Sequence, residues 1–213
     1  MSLVPVKTPS VVKKMFPNYV WDIKTTEPVI YLTFDDGPTP DITEWILQLL
    51  NGYNAKATFF CIGSNVEKFP VVFQNIVSNG HAIGNHTHNH VKGWKTKTPD
   101  YLNNVEQCES VIKNRQSKTV NLFRPPYGRI KPKQAKALMA LGYNIVMWDV
   151  LSFDWDKNIS KKTCLENVVE NTKKGSIIVF HDSIKASKNM KYVLPKVLEY
   201  FSDKGYTFKA LNL

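Results

Sequence analysis

The stretch "VIYLTFDDGP", Val29 to Pro38, decides most of what can be read about the fold. Val29 to Phe34 form an apolar and β-branched run of strand length, and Gly37-Pro38 ends it. Between them stand two adjacent carboxylates, Asp35 and Asp36. Like charges repel, so such a pair at the end of a buried strand needs a reason. The segment reads as an Asp-rich turn that caps the backbone. It also reads as chemistry, with one carboxylate on a metal ion and its neighbour free as a base.

Working outward, similar runs recur as "KATFFCI" (56–62), "HAIGNH" (81–86), "TVNLF" (119–123), "YNIVMW" (143–148), "SIIVFH" (176–181) and "TFKALN" (207–212). Helical patterns separate them. One spans 98–114, with Thr98 as N-cap and Pro99 in its first turn; another spans 131–142, from Pro132 to a closing Gly142. A third runs from Ser160 as N-cap to Gly175. Seven strand-like runs joined through helices predict an α/β fold with a parallel sheet, because parallel strands need crossover connections. An open doubly wound sheet and a distorted (β/α) barrel both satisfy the pattern. Residues 1–27, with their prolines, lysines and the anchors Phe16, Tyr19 and Trp21, read as an irregular lead-in to one domain over 28–213.

Composition narrows the functional classes. Of the 213 residues 43% are hydrophobic, enough for a sizeable core. The net charge of +10 would suit an anionic partner, but the lysines are scattered in pairs and no nucleic-acid motif appears. Cys61, Cys108 and Cys164 form no C-x-x-C pair, which argues against a disulfide framework or a thiolate metal site. No apolar run reaches transmembrane length. The first residues lack the apolar centre of a signal peptide, so either the protein stays in the cytoplasm or an export signal to the envelope or medium has been removed.

Polar clusters follow five of the strands, at the end where parallel α/β folds place their active sites. "GNHTHNH" (84–90) sets His86 and His90 four apart, able to face one ion from a helical turn or tight loop. His88 is the weaker ligand candidate, and His81 reads as structural. In "FRPPYGR" (123–129) two prolines hold Arg124 extended, and a fixed guanidinium beside a carboxylate would orient it and lower its pKa. Asp154 in "SFDW" and His181 at the end of "IIVFHD" suggest a carboxylate–imidazole pair in which His181 acts as a general acid.

In this order the clusters resemble the polysaccharide deacetylases, carbohydrate esterase family 4. The likeness spans about 30–213, through "TFDDGP", "HTHNH", "RPPYG", the Asp-Trp of "SFDW" and the apolar-x-His of "VFH". It implies a distorted (β/α) barrel with a metal site at the strand C-termini. It further implies that Asp36, His86 and His90 hold one divalent cation, zinc first and cobalt, nickel or iron as alternatives. Asp35 would be the base toward a metal-bound water, tethered by Arg124, and His181, oriented by Asp154, the acid toward the leaving amine. The backbone N–H of Tyr127 would stabilise the oxyanion, and Trp155 and Val179 would line the acetyl pocket. Two positions depart from the family pattern: Leu151 stands where an Asp is frequent, and Val179 where Leu is usual. The implied substrate is an N-acetylated carbohydrate polymer, peptidoglycan or a chitin-like chain. An O-acetyl esterase on xylan-type chains, a non-catalytic carbohydrate-binding relative and a hydrolase of small amides are the competing readings. Trp94, Tyr127, Trp148 and Trp155 are candidates for stacking on sugar faces. The oligomeric state is left open.

Overall fold

The computed structural model describes residues 4–116 and 120–213. Thr119, the first residue of one predicted strand, lies outside the described residues. Seven parallel strands follow one path: β1 (Val29–Asp35), β2 (Thr58–Cys61), β3 (Ala82–Asn85), β4 (Leu122–Phe123), β5 (Asn144–Ile145), β6 (Val150–Leu151) and β7 (Ile177–His181). Their order is β5-β4-β3-β2-β1-β7-β6, and a short β8 (Thr207–Phe208) pairs with the start of β1. The helices are α1 (Ser10–Met15), α2 (Ile42–Gly52), α3 (Gly63–Lys68), α4 (Pro70–Ser78), α5 (Thr98–Lys113), α6 (Pro132–Ala140), α7 (Lys161–Val169) and α8 (Ser187–Asp203). The sheet curls into an incomplete barrel, the distorted form of the two architectures that the pattern allowed.

Strand parity sorts the side chains. Ile30, Leu32 and Phe34 of β1 point outward and pack with Ile46 and Leu50 of α2, Phe73 of α4 and Val193 and Val197 of α8. Tyr31 faces the other way, into a cluster with Phe60, Leu122, Val146, Ile177 and Leu211 inside the barrel. Thr33 and Asp35 share the face of Tyr31, because successive strand residues alternate. The second carboxylate, Asp36, falls just past the strand on the rim.

Three local expectations shift. The helix expected from a Thr98 cap begins at Thr98 itself, with Lys97 in the capping position and Pro99 in the first turn. Ser160 does cap α7, its Oγ accepting the Thr163 N–H at 3.0 Å, but the helix stops at Val169. The chain must turn there, because Gly175 donates its N–H to Val29 and accepts that of Ile23. Gly175 holds φ +78 so close to the Ile23 carbonyl that no Cβ would fit. Finally, a strand forms where none was expected, just before "SFDW": Val150 and Leu151 are buried and pair with Ile178 and Val179.

The end strands β5 and β6 do not pair with each other, and the segment read as an irregular lead-in lies across the gap. Val20 donates to Ile145 O and accepts from Met147 N, while Thr8 donates to Asp149 O and Val6 accepts from Leu151 N. An electrostatic lock holds it there. The fully buried carboxylate of Asp149 accepts from Lys7, Lys13 and Ser176, and Lys13 also pairs with Asp22. The lead-in therefore completes the barrel wall.

Candidate active site

Register brings the site together. Asp35 lies beside His181 across β1 and β7 and beside Phe60 across β1 and β2. Cys61 pairs with Asn85, and Asn85 with Phe123. The next residues in the chain, Asp36, His86, Arg124 and Asp182, consequently leave the sheet at one rim.

Arg124 turns back into the barrel and is fully buried. Its Nη1 donates to Asp35 Oδ1 and to Thr33 Oγ1, both at 2.7 Å. Its Nε and Nη2 donate to the carbonyls of Val146 and Met147, and its guanidinium lies 4.1 Å over the Phe60 ring. Four of its five N–H groups are thus engaged, with Asp35 the only acid among their partners. Burial alone would raise the Asp35 pKa, but Arg124, with His86 and His181, holds it below the ordinary value of 3.8. Asp35 is therefore a carboxylate throughout the neutral range. Leu151, where the family pattern favours Asp, instead packs with Phe153 and Val179.

Beside this carboxylate, ligand atoms of Asp36, His86 and His90 lie within 4.8 Å of one another. His86 Nε2 is 3.7 Å and His90 Nε2 3.3 Å from Asp36 Oδ1. His86 Nδ1 donates to the Arg124 carbonyl at 2.7 Å, a tautomer that leaves the Nε2 lone pair toward Asp36. Burial lowers the pKa of His86, and burial together with His86 lowers that of His90 to about 4. Two neutral imidazoles and one carboxylate fit a divalent cation of the zinc, cobalt, nickel or iron(II) type, with positions left over for other ligands. His88 points elsewhere, with Nε2 3.6 Å from Glu67. His81 accepts the Ala57 N–H, as a structural histidine would.

Two of the three donor residues sit on backbone that few residues adopt, Asp36 at φ 83 and His90 at φ 51, and Thr87 next to His86 has φ 65. Polar side chains hold these turns. Asn65 Nδ2 donates to Asp36 O at 2.7 Å, and Asp182 Oδ1 accepts the Gly37 N–H at 2.9 Å. Both ends of the Asp36–Gly37 peptide are clamped in this way, beside the cis Gly37–Pro38 bond. Thr43 donates to the other oxygen of Asp182 at 2.6 Å. Burial raises the Asp182 pKa to about 7, with Asp36 adding to the rise and the two hydrogen bonds opposing it. Asn85 Oδ1 accepts the Thr87 N–H, and Asn104 Oδ1 accepts those of His88 and Asn89. Sequence reasoning missed Asn65, Asn85, Asn104 and Asp182. The available signal was weak: two polar residues at the ends of apolar strands, and two asparagines within helices.

Across the cleft, Asp154 grips His181 twice. Oδ1 lies 2.8 Å from Nδ1, and Oδ2 accepts the backbone N–H at 2.7 Å. Burial opposes charge on this ring, but Asp154, aided by Asp36 and Asp35, raises its pKa to about 9. Trp155 meets the ring edge-on at 4.7 Å. Leu151, Trp155 and Val179 form the apolar part of a cleft of about 600 Å³. Tyr127, at φ 61, lies on the opposite wall with its ring 4.6 Å from that of His90. Trp94 and Trp148 line the same cleft, as the stacking reading requires.

A sequence profile described as polysaccharide deacetylase matches residues 22–146. The chain belongs to this family. A peptidoglycan-N-acetylglucosamine deacetylase of Bacillus cereus is 36% identical over 85% of this chain and 66% of its own length. A second protein of that name from the same species is 34% identical over 90% of both chains. The crystal structure of the Bc1960 peptidoglycan N-acetylglucosamine deacetylase superposes with a TM-score of 0.88 at 33% identity, covering 96% of this chain and 95% of its own. The matched span holds three of the five polar clusters, "TFDDGP", "HTHNH" and "RPPYG". No helix among the described residues is long and apolar enough to cross a membrane.

Proposed function

We propose that this chain is a metal-dependent N-deacetylase of peptidoglycan, releasing acetate from N-acetylated sugars. The observation that carries the reading is the juxtaposition of an arginine-locked carboxylate, Asp35, with the Asp36–His86–His90 donor set and with His181 on the neighbouring strand. We assign zinc to the donor set among the cations that it fits. When bound there, the cation lowers the pKa of water from about 15.7 toward about 7 and polarises the acetyl carbonyl.

The chain's own groups supply the remainder. Asp35, ionised and fixed by Arg124, takes a proton from the attacking water. The Tyr127 N–H faces the developing oxyanion, where a fixed donor favours the transition state over the ground state. His181, fixed through Nδ1 by Asp154, delivers a proton from Nε2 to the departing sugar amine. Leu151, Trp155 and Val179 accept the acetyl methyl. An amine is a poor leaving group until protonated, so a histidine held protonated well above neutrality favours an N-acetyl over an O-acetyl substrate. The names of the relatives support peptidoglycan over chitin. Such a substrate puts the working protein at the cell envelope.

The test is acetate release from peptidoglycan glycan strands and from N-acetylglucosamine oligomers, with zinc, with chelator and in an Asp35→Asn variant. Chelator-sensitive release that the variant lacks supports the assignment. Release from xylan O-acetyl groups alone, with neither N-acetyl substrate cleaved, would overturn it.

A further inference from the structure

The cleft carries charges that the chemistry above does not use. Arg129 lies on its wall, two residues after Tyr127, and Lys185 lies on the loop after β7. β4 and β7 are separated by β3, β2 and β1 in the sheet, so these cations approach the cleft from different sides. Among the described residues neither has an acidic partner within salt-bridge distance. The carboxylates that line the cleft, Asp35 and Asp36, are committed to Arg124 and to the metal donor set.

Arg129 is held in place rather than free to sweep through solvent. Its guanidinium stacks 4.5 Å over Trp94, and Trp94 meets Tyr127 edge-on at 5.4 Å. The backbone aims it: Tyr127 and Gly128 both have positive φ, and a Cβ on Gly128 would collide with the Trp148 ring. Lys92 adds a third cation, 5.6 Å over the Tyr127 ring. The result is an aromatic platform bordered by positive charge on the cleft wall across from the acetyl pocket. Aromatic faces suit the apolar faces of sugar rings, while an ordered guanidinium suits a carboxylate.

We propose that Arg129, with Lys185, reads a carboxylate on the glycan beside the sugar that loses its acetyl group, so that the cleft selects acidic over neutral N-acetylated chains. This deepens the peptidoglycan reading and rests on it. In peptidoglycan the carboxylate has two sources: the lactyl group of a muramic acid without its peptide, or the acids of the stem peptide.

Binding and turnover are measured separately. Tryptophan fluorescence reports the affinity of the whole protein for four oligosaccharides of equal length. These are a neutral N-acetylglucosamine oligomer, a peptidoglycan fragment with free lactyl carboxylates, the same fragment amidated, and the fragment bearing stem peptides. The acidic fragments are expected to bind about tenfold tighter than the neutral and amidated ones at low salt, a preference that shrinks at high salt. Whichever acidic fragment binds better identifies the source. Arg129→Gln should remove about fivefold of the preference and Lys185→Gln about twofold, with kcat on the neutral oligomer unchanged, and Arg129→Lys should restore part of it. Equal affinity for the acidic and amidated fragments, or an Arg129→Gln loss of the same size on all four, would overturn the proposal. Charge-selective binding without acetate release from any of them would uphold it and refute the deacetylase assignment alone.

Discussion

Replacing Asp154 with asparagine tests whether His181 is an acid maintained by its partner. In the native protein the ring pKa stands at about 9 against an ordinary 6.5, and Asp154 is the largest of the influences that raise it. The acid works protonated, so kcat/KM should be full below this value and fall as pH rises through it. A cation on Asp36 offsets that residue's contribution and moves the wild-type limb somewhat below 9. The amide of the Asp154→Asn variant keeps the shape and loses the charge, so burial goes largely unopposed and the ring pKa falls. At pH 8 the variant should lose about tenfold or more in kcat/KM, and the gap should narrow steadily as pH falls toward 5.5. The assay is kcat/KM for acetate release between pH 5.5 and 9.5 with saturating zinc. A variant uniformly slower at every pH, or one with an unmoved alkaline limb, would refute the reasoning.

Gly37→Ala would push a methyl group into the buried Asp182 carboxylate, which already holds the Gly37 N–H. A loss of about 1–3 kcal/mol in urea unfolding, with weaker zinc binding by calorimetry, is expected. Arg124→Met leaves Asp35 buried without its charge partner and should cost about 3–5 kcal/mol, read from the same unfolding curves. Dialysis against chelator should abolish acetate release, and stoichiometric zinc should restore it. His90→Ala should prevent that recovery, while His88→Ala should not, since His88 faces Glu67. Asp149→Ala would leave Lys7 and Lys13 without their shared anion and loosen the wall between β5 and β6. A lower melting temperature and early proteolysis within residues 4–22 should reveal it.

The sequence by itself determined the alternation of strands and helices, the parallel sheet and the chemical character of the site. Those features are local: an apolar run ends at Gly37-Pro38, a helix opens at Ser160, and carboxylate, imidazole and guanidinium groups follow the strands. The spacing of His86 and His90 already allowed a shared ion, although a loop with two left-handed residues, not a helical turn, brings the two rings together. Which residues support that site was decided only by the tertiary structure. Asp182 reaches Gly37 across 145 positions, and Asn65 reaches Asp36 across 29. Neither distance leaves a periodic trace, because register between strands, not sequence spacing, sets the pairing. The lead-in teaches the same lesson. Its prolines and lysines read as irregular, yet Lys7 and Lys13 are drawn to a carboxylate buried 142 and 136 positions away, where the sheet fails to close. Side-chain chemistry is written residue by residue, whereas the balance of burial and pairing that makes a charge useful exists only once the chain has folded.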